Sequence, residues 1–108
     1  MNDRLIRLIG LGLRAGRVVV GVTGVRAGLQ RGSVHCVVLA ADASARTRDK
    51  VERLARARGI PLLSGPVADQ LGARLGRAPV QAVGVEDGAL ARGLVASLGG
   101  VSGDNTHS

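Results

Sequence analysis

Phenylalanine, tyrosine and tryptophan are all absent from the 108 residues of this chain, so nothing in it can stack a base or a ring on an aromatic side chain. Cysteine occurs once, as Cys36 inside an apolar run, which excludes an internal disulfide and leaves no metal-ligand cluster. The simplest compartment for such a chain is the cytoplasm. No run approaches the ~20 apolar residues that a membrane span needs. The segment LIRLIGLGL is broken by Arg7 and is followed by no small-residue cleavage site, so it does not read as a signal peptide. Lysine is nearly missing too, with one against 14 arginines, a skew that the base composition of a gene can impose.

What is present is an aliphatic, basic chain. Its apolar fraction is 45%, almost wholly Val, Leu, Ile and Ala, and its length suits one domain with one core. Net charge is +7, and its distribution is uneven: residues 1–58 hold 12 Lys or Arg against 4 acids, residues 59–108 hold 3 against 4. A basic first half is the footprint of a face that meets a polyanion.

Along the chain, Leu5, Leu8, Ile9 and Leu13 recur at helical spacing up to Gly16. VVV at 18–20 reads as a short buried strand, and a second helix runs from about Thr23 to Arg31, stopped by Gly32. VHCVVLA at 34–40 reads as a strand covered on both faces. A third helix follows, with Ser44 as N-cap and Asp49–Arg53 and Glu52–Arg56 as i,i+4 pairs, ended by Gly59. Strand IPLL at 60–63, a helix carrying Val67, Leu71 and Leu75, strand VQAVGV at 80–85 and a helix carrying Leu90, Leu94 and Leu98 complete the pattern. The last ten residues, 99–108, read as a disordered tail. Five helices alternating with four short strands give an α/β single domain with helices on both faces of a central sheet.

Chemistry is sparse. GLGLRAG at 10–16 has dinucleotide-fingerprint spacing wrong by one residue and ends a helix instead of opening one. No Gly-Lys-Ser or Gly-Lys-Thr exists to form a P-loop. Neither His35 nor His107 can be placed beside Ser33, Ser44 or Ser64, so a nucleophile–base pair is not formed. His35 reads as a satisfied core histidine, Cys36 as an inert buried thiol, and Asp42, Glu86 and Asp87 as helix-start residues. The sequence therefore points to a protein that is not an enzyme, with no cofactor, no metal, no membrane and no small-molecule substrate.

One segment stays unexplained by these readings. In GVTGVRAGLQRG at 21–32, Gly24 and Gly28 lie one turn apart in a helix, at about 1 kcal/mol each relative to alanine. A helix that follows a strand presents free N–H groups and a partial positive charge, a ready phosphate site. Gly21 and Gly24 clear side chains from that entrance, and Arg14, Arg17, Arg26 and Arg31 supply charge around it. The alternative is that Gly24 and Gly28 only let the helix pack closely on a neighbour.

LIGLGLRAGRVVVG at 8–21, LAADAS at 39–44, GIPLL at 59–63, DQLGARLGRA at 69–78 and VQAVGVED at 80–87 together resemble the bacterial YlxQ proteins of the ribosomal L7Ae and L30e superfamily. The resemblance spans residues 5–98 and places an L7Ae-like RNA-binding domain at 1–98. It implies a three-layer α-β-α sandwich that binds RNA, usually at a kink-turn, through the start of helix two and the loop before helix four. The residues so implicated are Gly21, Val22, Thr23 and Gly24, and Gly65, Pro66 and Val67 in the loop; Arg14, Arg17, Arg26 and Arg31 join them on the charge argument above. In the family's best-known members helix two opens Gly-x-Asn-Glu with a Lys three residues after the Glu, which read sheared G·A pairs. Here Gly21 matches, while those three positions hold Thr23, Gly24 and Ala27, so backbone binding is retained and base-edge readout is not. Structured RNA, with the ribosome or translation factors, is the implied partner. A protein-interaction or assembly module of the translation apparatus is the alternative, and dispersed arginines would favour it.

Overall fold

Residues 3–99 are described by the structure, a computed structural model. Four strands, β1 (Val18–Val20), β2 (Cys36–Leu39), β3 (Leu62–Ser64) and β4 (Ala82–Val85), form one sheet in the order β1-β4-β2-β3. β4 is antiparallel to both neighbours and β2 is parallel to β3, so β1, β2 and β3 point one way and β4 the other. Each of those three strands runs on into a helix: α2 (Val22–Arg31), α3 (Ala45–Ala57) and α4 (Ala68–Arg74). α1 (Asp3–Arg14) leads into β1, and α5 (Gly88–Leu94) follows β4 and continues into a π-helical turn, Val95–Gly99. The connectivity therefore gathers the N-termini of α2, α3 and α4 at one end of the sheet.

Strand alternation divides the core in two. Cys36, Val38, Val83 and Val85 face Leu5 and Ile9 of α1, Leu71 of α4 and Leu94 of α5. Val37, Leu39 and Ala82 face Val25 and Leu29 of α2 with Val51 and Ala55 of α3. These side chains are almost wholly buried, and each fully buried Leu, Ile or Val contributes ~1.5–3 kcal/mol. Helices on both faces of the sheet make the three-layer sandwich that the sequence pattern and the resemblance imply.

The order of elements matches the sequence reading; their ends do not. The β2–β4 ladder begins at Cys36 opposite Val85 and stops at Leu39 opposite Ala82, whereas Val34, Ala40 and Val80 are buried outside it. Burial thus extends beyond the hydrogen-bonded ladder, which is why apolar runs overstate strand length. His35, read as a core histidine, is instead exposed at the start of β2, its backbone N–H donating to Val85 O at 2.7 Å.

Helix caps also depart from the local reading. Ser44 does cap α3, its Oγ accepting from Thr47 N at 3.1 Å, and Asp87 caps α5 through Leu90 N at 2.9 Å. Asp42 serves a helix 26 residues away: its Oδ1 accepts from Ala68 N at 2.7 Å and caps α4. Val67 is the N-cap position there, so Pro66 precedes the helix instead of opening it. Glu86 starts no helix; it accepts from Ser33 Oγ at 2.8 Å and meets Arg31 at 3.4 Å, tying β4 to the far end of α2. Arg53 pairs with Asp49 at 3.0 Å as expected, but Glu52 lies 3.9 Å from Arg48 instead of pairing with Arg56. The side chain of Leu98 and the tail beyond Gly99 lie outside the described residues.

Candidate nucleic-acid interface

α2 begins where β1 ends, and the switch is made at Gly21. Its φ of 101° and ψ of 155° are a backbone conformation that a side chain resists, and open space lies where a Cβ would be. Gly21 N donates to Ala82 O at 2.8 Å, and the first bond of the helix runs from Val25 N to Gly21 O at 3.0 Å. The amides of Val22, Thr23 and Gly24 thus have no carbonyl behind them within the helix and aim outward. α3 and α4 begin at the same end of the sheet, but the hydroxyl of Ser44 and the carboxylate of Asp42 occupy their entrances. No side chain caps α2. Thr23 is exposed and Val22 half-buried beside it.

The two glycines within α2 differ in kind. A methyl at Gly24 would stand in ordinary contact, 3.5 Å from Val19 Cβ, and the backbone there is helical. Neither packing nor conformation demands glycine at 24. At Gly28, which is buried, the added carbon would stand 2.5 Å from Val34 Cγ2, so glycine there seats α2 on the beginning of β2. The close-packing reading therefore holds for Gly28 and not for Gly24.

The 64–67 loop shares the entrance end of the sheet. Gly65 N donates to Leu39 O at 2.7 Å, and Pro66 O accepts from Ala41 N at 3.1 Å, so the loop is stitched to the segment after β2. Gly65 is buried, with Val38 Cγ1 2.7 Å from where its Cβ would be, and Pro66 is buried too. The resemblance assigns both to ligand contact; in the fold both are buried beneath Val67 and Ser64. Val67, 38% exposed, and Ser64 are what the loop offers to solvent.

The arginines are distributed differently from the expected ring around the entrance. Arg14 ends α1, Arg17 precedes β1 and donates to Glu86 O at 3.2 Å, and Arg31 ends α2 beside Glu86. All three belong to the opposite end of the sheet, about 13 Å away along β1 at ~3.3 Å per residue. The reason is topological: residues flanking a strand on its two sides emerge at its two ends. Arg26 sits one turn into α2, on the side facing α3. The sequence reading omits Arg48; its guanidinium donates to Ala40 O at 3.5 Å and Ala41 O at 3.4 Å, beside the entrance end. The only hint is its place in ARTR directly after the Ser44 cap.

Burial pushes the Cys36 thiol up to about 11, away from a thiolate, and the side chain is fully buried. Among the described residues no group of three His, Cys, Asp or Glu comes together to hold a metal ion. None of the described helices is long and apolar enough to cross a membrane.

A family model, described as the ribosomal protein L7Ae/L30e/S12e/Gadd45 family, matches residues 4–94. The chain belongs to that family. Within solved structures, a Bacillus halodurans protein described as of unknown function is 30% identical, with a TM-score of 0.79 over 84% of this chain and 92% of its own. The Giardia lamblia 15.5kD RNA binding protein is 18% identical and has a TM-score of 0.73, covering 90% of this chain and 86% of its own, a likeness of fold. No curated protein sequence matches. The family match spans α1 through α5, so the α2 entrance and the 64–67 loop both lie inside the shared domain.

Proposed function

We propose that this L7Ae-family protein is a non-enzymatic RNA-binding protein that docks structured RNA, of kink-turn or ribosomal kind, on the N-terminus of α2 with Val67 as an apolar neighbour. The observation that carries the reading is the uncapped entrance of α2 at the end of the sheet where α3 and α4 begin with side-chain caps. Three outward amides at the positive end of a ten-residue helix suit a phosphate, and Gly21 lets a backbone approach them. Thr23, Gly24 and Ala27 give this entrance no carboxamide, carboxylate or ammonium, so binding rests on RNA backbone and shape instead of base edges. The Giardia relative's description as an RNA binding protein supports the same reading.

A second reading, an assembly module of the translation apparatus, is favoured by one observation: Arg14, Arg17 and Arg31 lie at the end of the sheet away from the entrance. Thr23→Glu separates the two. It places a carboxylate among the outward amides, where it favours the helix and repels phosphate. The expected result is at least a tenfold loss of affinity for a kink-turn hairpin RNA at 100 mM salt, with thermal stability equal to or above the parent's. A folded Thr23→Glu variant that binds like the parent moves the site elsewhere and favours the assembly reading.

A further inference from the structure

α2 and α3 follow parallel strands, start at the same end of the sheet and run side by side, with Arg58 of the α3 cap donating to Gln30 O at 2.8 Å to join their far ends. Between them lies a groove of about 400 Å³ lined by Arg26, Gln30, Lys50, Arg53, Leu54 and Ala57. Three of those six residues are cations, and Arg53 is joined to Asp49 in a pair whose side chains are 78% and 61% exposed. An ion pair so exposed contributes little and leaves Arg53 available to a stronger anion. Arg26 carries the sharper signal. Its Nε is buried and finds no hydrogen-bond partner among the described residues, a rare condition for a charged donor.

We infer that this groove is a second RNA-backbone site, in which Arg26, Lys50 and Arg53 bind consecutive phosphates of the strand that leaves the α2 entrance. Its mouth adjoins that entrance: Arg26 lies five residues past Gly21, about 7.5 Å along the axis, and Gln30 about 13 Å along it. Arg26 lines the groove, and its planar guanidinium suits a phosphate there. Leu54 and Ala57 give an apolar floor compatible with sugar edges and not with a second charge layer. The groove deepens the RNA reading and rests on it, since the entrance sets where the strand begins.

The test uses a kink-turn hairpin RNA with paired stems on both sides and measures affinity from 50 to 300 mM salt. One variant combines Arg26→Met, which keeps the apolar stem, with Lys50→Ala and Arg53→Ala. A control of equal net charge combines Arg7→Ala, Arg77→Ala and Arg92→Ala, exposed positions outside the groove. With three phosphates released at ~0.7–0.9 each, the groove variant is expected to flatten the slope of log K against log salt by about 2. It should lose about tenfold in affinity at 100 mM, while the control loses less than threefold. Equal behaviour of groove variant and control overturns the inference; if Thr23→Glu still abolishes binding in that case, the entrance reading stands alone. A parent chain that binds no RNA sinks both.

Discussion

The two ends of the sheet carry opposite kinds of charge organisation. At the entrance end, three helix N-termini present backbone dipoles, and Ser44 and Asp42 neutralise two of them, leaving α2 open. At the other end, Arg17, Arg31, Ser33 and Glu86 satisfy one another across three elements. Side-chain charge is internally paired at one end, while the first amides of α2 are free of a side-chain cap at the other. The contrast teaches that a net charge of +7 says nothing of where the charges sit. Position along a strand decides which end an arginine serves.

Each end also depends on a glycine that tolerates no side chain, and replacing these gives the largest effects. Near the entrance end a methyl on Gly72 of α4 would run into the backbone of Ala78 and Pro79, which cannot rotate away as a side chain could. Gly72→Ala is expected to destabilise by about 3 kcal/mol or more, read as a fall in the urea midpoint. At the opposite end Gly28→Ala meets a valine methyl and also gains ~1 kcal/mol of helix propensity, so a loss of about 1–2 kcal/mol is expected. If Gly28→Ala proves the more damaging, the ranking of backbone against side-chain clashes is wrong.

A smaller effect tests the caps. Asp42→Ala removes the carboxylate from Ala68 N and opens a second helix entrance; it should cost about 1 kcal/mol in thermal unfolding. α4 has seven residues, too short to rival α2, so RNA affinity should change less than twofold. A gain in affinity would mean that any uncapped helix at this end binds phosphate.

The smallest expected effect lies at the other end. Hydrogen bonding from Leu90 N holds the Asp87 carboxyl below the usual carboxylate range, aided by Arg17 and His35. A lowered native value means that the unfolded chain binds the proton more readily. The contribution is therefore complete above about pH 4 and disappears as pH falls through the lowered native value. Comparing the melting temperature of the parent with Asp87→Asn from pH 2 to 7 should show a difference that shrinks at the acid end. A constant difference would assign the cap to geometry alone.

How much of the molecule is legible in its sequence differs by element. The pattern places α1, β1 and α2 within a residue or so because period and stop signals coincide there: Gly16 and Gly32 both adopt positive φ at helix ends. It starts β3 and β4 two residues early because Ile60, Pro61, Val80 and Gln81 are apolar or adjoining residues outside the ladder. For the site, Gly21 and Thr23 can be named from a strand-to-helix switch, a local event. Arg48 bonds back only seven and eight residues, across the loop between β2 and α3, whereas the buried state of Pro66 and the grouping of Arg26 with Lys50 and Arg53 depend on residues distant in sequence.

The sequence by itself determined the layers, because hydrophobic period is a property of consecutive residues and fixes which face of each element seeks a partner. It also determined that the chain has no Phe, Tyr or Trp to stack and no second cysteine for an internal disulfide. Tertiary structure alone decided which helix N-terminus stays open, because the groups that close the others include Asp42, 26 residues from the helix it caps. It decided too that Arg14, Arg17 and Arg31 stand apart from Gly21, because even a strand of three residues carries the chain from one end of the sheet to the other. Proximity across a sheet is set by strand order and direction, and these are properties of the whole fold.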